Sequence, residues 1–184
     1  MIFSPATLHA NFSHNKFTSA GFKRFNAAYE TLQVVDLSNN LIEQDASEVF
    51  LNIPPNLEEL ILSHNTMRGA LPDPFPSLEN IRRFAIVNNN INGPLPDFSR
   101  ATPRVRELHL SNQRQTDSGG LTGKIPADFS RLDDLLVLDL VVNNLTSTIP
   151  SDLGNLEKLK VLNLSSNILS QQIPSELGKL AGRC

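Results

Sequence analysis

Residues 135–145 read LLVLDLVVNNL and residues 159–169 read LKVLNLSSNIL, and the two stretches align without a gap. In both, apolar residues stand 0, 3, 5 and 10 positions after the first leucine, and asparagine stands at position 8. We call this pattern the frame, and a residue's distance from the first residue of its frame is its offset. Self-similarity at a fixed period predicts a repeat architecture.

The same frame recurs along nearly the whole chain of 184 residues. Successive frames start 24 or 25 residues apart, except that the sixth starts 30 residues after the fifth. Frames 1 to 7 start at Thr7, Leu32, Leu57, Ile81, Val105, Leu135 and Leu159. A chain of this length has no room for a second sizeable domain, so we expect one domain over residues 1–184.

The frame resembles the leucine-rich repeat consensus L-x-x-L-x-L-x-x-N-x-L. Residues 67–72 (MRGALP), 91–96 (INGPLP) and 121–126 (LTGKIP) are similar to the L-x-G-x-I-P segment of the plant-type version. That version is found in receptor-like kinases, receptor-like proteins and polygalacturonase-inhibiting proteins. The resemblance implies an α/β solenoid, a right-handed superhelix of about seven coils with a parallel β-sheet on its concave face. Family ectodomains usually carry paired-cysteine caps, which this chain lacks, so we expect a fragment of a longer protein.

The offsets predict which side chains face the core. Offsets 3 and 5 share the two-residue period of a strand and should face a core that stacked frames close together. Offsets 2, 4 and 6 should face solvent. The asparagines at offset 8 should form a row whose amides bond backbone groups of their own and adjacent turns; in frame 5, Asn112 is predicted to slip into this row. Frames 1 and 2 lack the I-P segment, and residues 25–31 (FNAAYET) and 46–53 (ASEVFLNI) favour short helices.

The outer offsets of frames 3 to 6 carry the predicted ligand-binding set. Serine is usual at offset 6, but Val87 and Val141 replace it there. Contiguous exposed apolar surface marks interaction sites, and here it flanks charged residues that would form a ladder across the strands. The set comprises Glu59, Ile61, Arg83, Ala85, Val87, Glu107, His109, Val137, Asp139 and Val141. The alternative is an ordinary solvated face on which valines are simply good strand formers.

Frame 5 carries six additional residues, which predict a surface loop between Gln113 and Gly120. Loops often carry function, so Arg114 and Asp117 are predicted to add to the ligand-binding set. Positive charge concentrates around this frame, which makes an anionic polysaccharide a second partner to consider. The basic residues are Arg82, Arg83, Arg100, Arg104, Arg106, Arg114 and Lys124.

Composition and motifs argue against several function classes. A formal net charge of −3 argues against nucleic-acid binding, and no apolar run is long enough for a membrane span. There is no H-E-x-x-H, C-x-x-C, G-x-S-x-G or complete phosphate-binding loop, and the four histidines occupy different frames or offsets. We therefore predict that the protein is not an enzyme and has neither a metal nor a cofactor.

Three glycosylation sequons begin at Asn11, Asn144 and Asn163 and favour an extracellular or cell-surface location, with a cytoplasmic one as the alternative. By resemblance, the function predicted is a module that binds a protein or peptide on the concave face, within a receptor-like protein or kinase. Two alternatives stay open, a secreted inhibitor of a cell-wall polysaccharide hydrolase and an intracellular scaffold.

Overall fold

The computed structural model describes residues 7–19, 30–51, 53–73, 75, 78–102, 104–114 and 116–183. Within these ranges the strands form two parallel sheets. The main sheet contains, in spatial order, β1 (His9–Asn11), β2 (Val34–Asp36), β3 (Glu59–Ile61), β5 (Arg83–Ala85), β7 (Glu107–His109), β9 (Val137–Asp139) and β11 (Val161–Asn163). The second sheet contains β4 (Arg68–Ala70), β6 (Asn90–Pro94), β8 (Gly120–Gly123) and β10 (Asn144–Leu145).

The register of the main sheet reproduces the frame. Every strand covers offsets 2 to 4 and pairs with residues of equal offset in its neighbour, so Glu59 lies beside Val34 on one side and Arg83 on the other. A slip of one residue would turn the buried row towards solvent, so burial of offset 3 specifies this register. The predicted parallel-strand solenoid is confirmed.

Aliphatic residues at offsets 0, 3, 5 and 10 fill the core, as Leu138 and Leu140 show with no exposed surface. Behind the main sheet lies a row of phenylalanine rings from frames 2 to 5. The centroid of the Phe75 ring is 4.9 Å from that of Phe50 and 4.6 Å from that of Phe98, and Phe98 is 5.7 Å from Phe129. Such pairs add about 0.5–1.5 kcal/mol each beyond the area they bury.

Short helices return the chain from one main-sheet strand to the next. α1 (Ala46–Phe50) and α2 (Phe98–Ala101) each begin after an aspartate whose carboxylate accepts a backbone N–H of the first turn. Later frames use 3₁₀ helices, at Ala127–Arg131, Ser151–Asn155 and Ser175–Arg183. The helix predicted in residues 46–53 is therefore confirmed, whereas most of the one predicted in residues 25–31 lies outside the described residues.

The row of amides at offset 8 ties each frame to the previous one. Buried Asn143 donates through Nδ2 to the carbonyls of Leu110 (3.0 Å) and Leu140 (3.1 Å), and its Oδ1 accepts the Leu121 N–H at 2.9 Å. The equivalent asparagines make the same pattern of bonds, as predicted: Asn40, Asn65, Asn89 and Asn167.

In frame 5 the expectation that Asn112 joins this row is wrong. Gln113 holds the place, with Oε1 accepting the Ile91 N–H at 3.2 Å and Nε2 donating to the Ile86 carbonyl at 2.7 Å. The longer glutamine side chain carries its amide to the corresponding backbone partners, so no slip is needed. Asn112 keeps the left-handed conformation typical of offset 7, with φ 56°.

A second left-handed position recurs five residues after offset 7, or eleven residues after it in the longer frame 5. Frames 3 to 5 place Gly69, Gly93 and Gly123 there, with φ between 73° and 77°. Frames 6 and 7 place Ser147 (φ 71°) and Gln171 (φ 68°) in the same conformation. The backbone turn is thus preserved where the favoured glycine is missing.

Candidate ligand-binding surface

The outer face of the main sheet presents the predicted set in rows fixed by strand register. At offset 4, Ile61, Ala85, His109 and Asp139 follow one another across four adjacent strands. Most of the set is at least partly exposed, but Ala85 is only 4% exposed, so the expectation that it contributes surface is wrong. The register partners of Ala85 on the two neighbouring strands are Ile61 and His109, which have longer side chains.

The expectation that side chains at offset 6 are exposed to solvent is also wrong for three of the serines. Ser38, Ser63 and Ser111 are 8%, 7% and 2% exposed. Their hydroxyls serve local structure, because Ser63 Oγ accepts the Val87 N–H at 3.0 Å and Ser111 Oγ donates to Asp139 Oδ2 at 2.7 Å. The valines that replace serine here, Val87 and Val141, are half-buried and cannot make these bonds.

The charged residues form a cluster at the centre of the face. The Glu107 carboxylate accepts from Arg83 Nε and faces His109 Nε2, both at 3.3 Å from Oε2. Arg83 and Glu107 have side chains 44% and 39% exposed, so the pair contributes under about 1 kcal/mol to stability. Within the described residues Glu59 makes no ion pair, so the predicted ladder reduces to Arg83 and Glu107.

Apolar side chains flank this charged cluster on both sides. Ile61 and Val87 lie towards frame 3, and Val137 and Val141 lie in frame 6; all four are half-buried. Frames 1, 2 and 7 instead carry Asn or Asp at offset 4 and Ser at offset 6. Frames 3 to 6 therefore present a surface of mixed chemistry, which suits a partner with both apolar and polar groups.

Sequence reasoning missed one residue of this surface, Val142 at offset 7. The positions at this offset all have φ between 53° and 57°: His14, Asn39, His64, Asn88, Asn112, Val142 and Ser166. Every one except Val142 is polar, and a β-branched residue in this conformation is a steric outlier. Reading offset 7 down all seven frames would have shown the exception.

The frame-5 loop lies against the second sheet rather than the main sheet. Thr116 Oγ1 donates to Asn90 Oδ1 at 2.8 Å, and Asn144 Nδ2 donates to the Gly119 carbonyl at 3.0 Å. A polar hollow of about 220 Å³ opens between Arg114, Thr116, Asp117, Gly119 and Asn144. The two predicted loop residues thus share one hollow, separate from the central charged cluster.

The three sequon asparagines differ in their surroundings. Asn11 and Asn163 are exposed on the first and last strands of the main sheet, and Asn144 is half-buried in β10. The Asn11 Oδ1 atom accepts the Ser13 N–H at 2.9 Å. Their glycosylation stays a prediction.

In the described part of the chain, two of the seven basic residues named around frames 4 and 5 form ion pairs with carboxylates. Arg82 Nε lies 3.6 Å from Glu58 Oε2, and Arg83 pairs with Glu107. A hydrogen bond from Lys158 and its charge lower the pKa of Asp134, and the charges of Arg106 and Arg104 lower it further. This matching weakens the case for an anionic polysaccharide as partner.

The described residues contain neither a cluster of metal ligands nor a membrane-spanning helix. No three His, Cys, Asp or Glu side chains among the described residues gather as metal ligands. Of the helices described, none is both long and apolar enough to cross a membrane.

Known proteins share this architecture. Leucine-rich repeat family profiles match residues 30–91, 134–156 and 158–180. Receptor-like protein 18 of Arabidopsis thaliana is 32% identical over 141 residues, covering 67% of this chain and 17% of that protein. The chain belongs to the leucine-rich repeat family, in the plant-type version of receptor-like proteins and kinases.

Solved structures extend the likeness over almost the whole chain. The Arabidopsis receptor kinase HAESA, crystallised with the peptide hormone IDA and the co-receptor SERK1, gives a TM-score of 0.75 at 28% identity, covering 95% of this chain and 28% of that chain. The PEPR1–AtPEP1 structure gives 0.77 at 22% identity, over 95% of this chain and 23% of that one. At this low sequence identity, the similarity to PEPR1 shows a shared fold and nothing more. The chain spans less than a third of each of these proteins.

Proposed function

We propose that the chain is a ligand-recognition module of a cell-surface receptor-like protein and that frames 3 to 6 of the main sheet bind a peptide or protein segment. The observation that carries this proposal is the change in the outer face at these frames. Apolar residues replace polar ones beside the Arg83–Glu107–His109 cluster. A relative solved with a peptide hormone supports the same type of ligand, and the module would then work outside the cell.

The test is an alanine scan of the surface, read out by binding to an array of short synthetic peptides. We expect a few substitutions to weaken binding about tenfold or more, because a minority of interface residues dominates affinity. The residues to change are Ile61, Arg83, Val87, Glu107, His109, Asp139 and Val141. The matched control is Asp128→Ala in the 3₁₀ helix Ala127–Arg131. This helix belongs to the return side of the molecule, meaning the segments that lead from one main-sheet strand to the next. The substitution removes an exposed ion pair with Arg131 and should leave binding unchanged.

The scan tests the location of the site, and two further measurements separate the alternative functions. Binding weakened only by changes on the return side would contradict the main-sheet site. An inhibitor would instead depress the activity of a polygalacturonase in a titration, and a cytoplasmic scaffold would carry no glycan at Asn11 or Asn163 in its native host. The exposed Asn11 and Asn163 make these two sequons the informative ones to examine by mass spectrometry.

A further inference from the structure

Frame 6 carries two consecutive valines at the strand-to-turn transition: frame 4 shares the first of them, at offset 6, but no other frame has valine at offset 7. Val142 adopts φ 53° where the other frames use Asn, His or Ser. Left-handed backbone is unfavourable for L-residues, and most of all for β-branched ones. Asn at this position, as in frames 2, 4 and 5, would fit the same turn with less strain.

The preceding residue, Val141, also lacks a hydrogen bond that serine makes at this offset in other frames. Val141 stands where serine hydroxyls bond a neighbouring frame, as Ser63 does to the Val87 N–H and Ser111 does to Asp139. Neither Val141 nor Val142 fills the core, because Leu138 and Leu140 of the same frame have no exposed surface while both valines are half-buried. Core packing therefore does not explain this apolar pair.

A negative charge lies directly beside the pair. Asp139 Oδ2 accepts the Ser111 hydroxyl and Asp139 Oδ1 accepts the Val141 N–H at 3.3 Å. Both donors are neutral, and no cation among the described residues forms an ion pair with Asp139. The adjacent Glu107 carboxylate, by contrast, already has Arg83. The charge of Asp139 is thus left for a partner to match.

We propose that frame 6 binds a peptide segment with an apolar side chain next to a basic one, the apolar group on Val141 and Val142 and the basic group on Asp139. This inference rests on the proposed function and narrows its ligand class. Val142 is unfavourable for the turn and lies half-buried beside an unmatched carboxylate, so we infer that it is retained for recognition at the expense of local stability.

The experiment uses the 184-residue chain and short synthetic peptides with a central Leu-Arg, Leu-Glu or Ser-Arg pair. The chain should prefer the Leu-Arg peptides. Val142→Asn should raise the thermal midpoint by about 2–4 °C, because strain is relieved, while weakening binding about tenfold. Ser166→Asn, at the same offset of frame 7, is the matched control and should leave binding unchanged.

Asp139→Asn tests the charge separately, since an amide oxygen can still accept the Val141 N–H while the charge is gone. It should abolish the preference for Leu-Arg over Leu-Glu. Suppose that peptides bind and that Arg83→Ala weakens their binding but Val142→Asn does not. The inference about frame 6 is then overturned while the proposed function stands. A fall in thermal midpoint for Val142→Asn also overturns it. If no peptide binds, both fail.

Discussion

Frames 3 to 5 and frames 6 and 7 follow the same backbone turns with different residues. The former place glycine at a left-handed position within the second-sheet strand or at its last residue, and they share a row of phenylalanine rings. The latter place Ser147 and Gln171 at that turn, and Leu153 is the third residue of its 3₁₀ helix, as Phe129 is of the preceding one. Both regions share the strand register and the amide row, which therefore determine the path of the backbone. The glycines and phenylalanines change only the stability of the fold.

The largest expected effect lies in the phenylalanine row. Phe98→Ala should lower the free energy of unfolding by about 3–5 kcal/mol, because the Phe98 ring is fully buried against Phe75, Phe84 and Phe129. Leu153→Ala is the comparison in frame 6 and should cost less. Urea denaturation measures both, and an equal or larger loss for Leu153→Ala would show that the aromatic row adds nothing.

The amide row should be the next most sensitive feature. Asn143→Ala leaves buried backbone groups unpaired at about 1–3 kcal/mol for each. Asn167→Ala in frame 7 should cost less, since Asn167 is half-buried and water can replace its amide. Chemical denaturation of the two variants provides the measurement. Equal losses would mean that burial does not set the strength of these bonds.

At the left-handed turn, introducing glycine in one region and removing it in the other should have opposite effects on stability. Ser147→Gly and Gln171→Gly should each raise the free energy of unfolding by about 0.5–1 kcal/mol, because glycine removes the steric penalty at positive φ. Gly123→Ser should lower it by a similar amount, since a new Cβ there would have Pro94 Cβ 3.9 Å away and meet no clash. Thermal denaturation tests the signs, and a loss on Ser147→Gly would show that the serine side chain contributes more than the strain.

The smallest effect concerns the surface pair between frames 5 and 6. Lys158 donates to Asp134 at 2.6 Å and lowers the pKa of that carboxyl below its usual value of 3.8. The stabilisation is present above the unfolded pKa and is lost as pH falls through the folded pKa. The thermal midpoints of the parent chain and Lys158→Ala should therefore differ slightly near neutral pH and converge in strong acid. A constant difference would exclude the pair as its source.

The repeated frame predicted the parallel strands and their register, because burial of offsets 3 and 5 allows a single pairing. It also predicted the amide row, except in frame 5, where the preference for asparagine favoured Asn112 and the structure uses Gln113. Ala85 and the serines at offset 6 were misjudged because period alone gives a side chain's direction, whereas its burial depends on the length of its neighbours. The sequence shows Val142 as the one apolar residue at offset 7, but the left-handed conformation that makes a valine unfavourable there is seen only in the structure.

Gln113 bonds frame 4 through its side chain and frame 6 through its backbone N–H, which donates to the Val142 carbonyl at 3.3 Å. The six additional residues of frame 5 follow Gln113 and end before Leu121 returns to the core. The length of a repeat and the stacking of its neighbours are therefore independent at this point in the chain. A foreign segment grafted between Gln113 and Leu121 should change what the flank of the molecule can touch while the strands on either side stay in alignment.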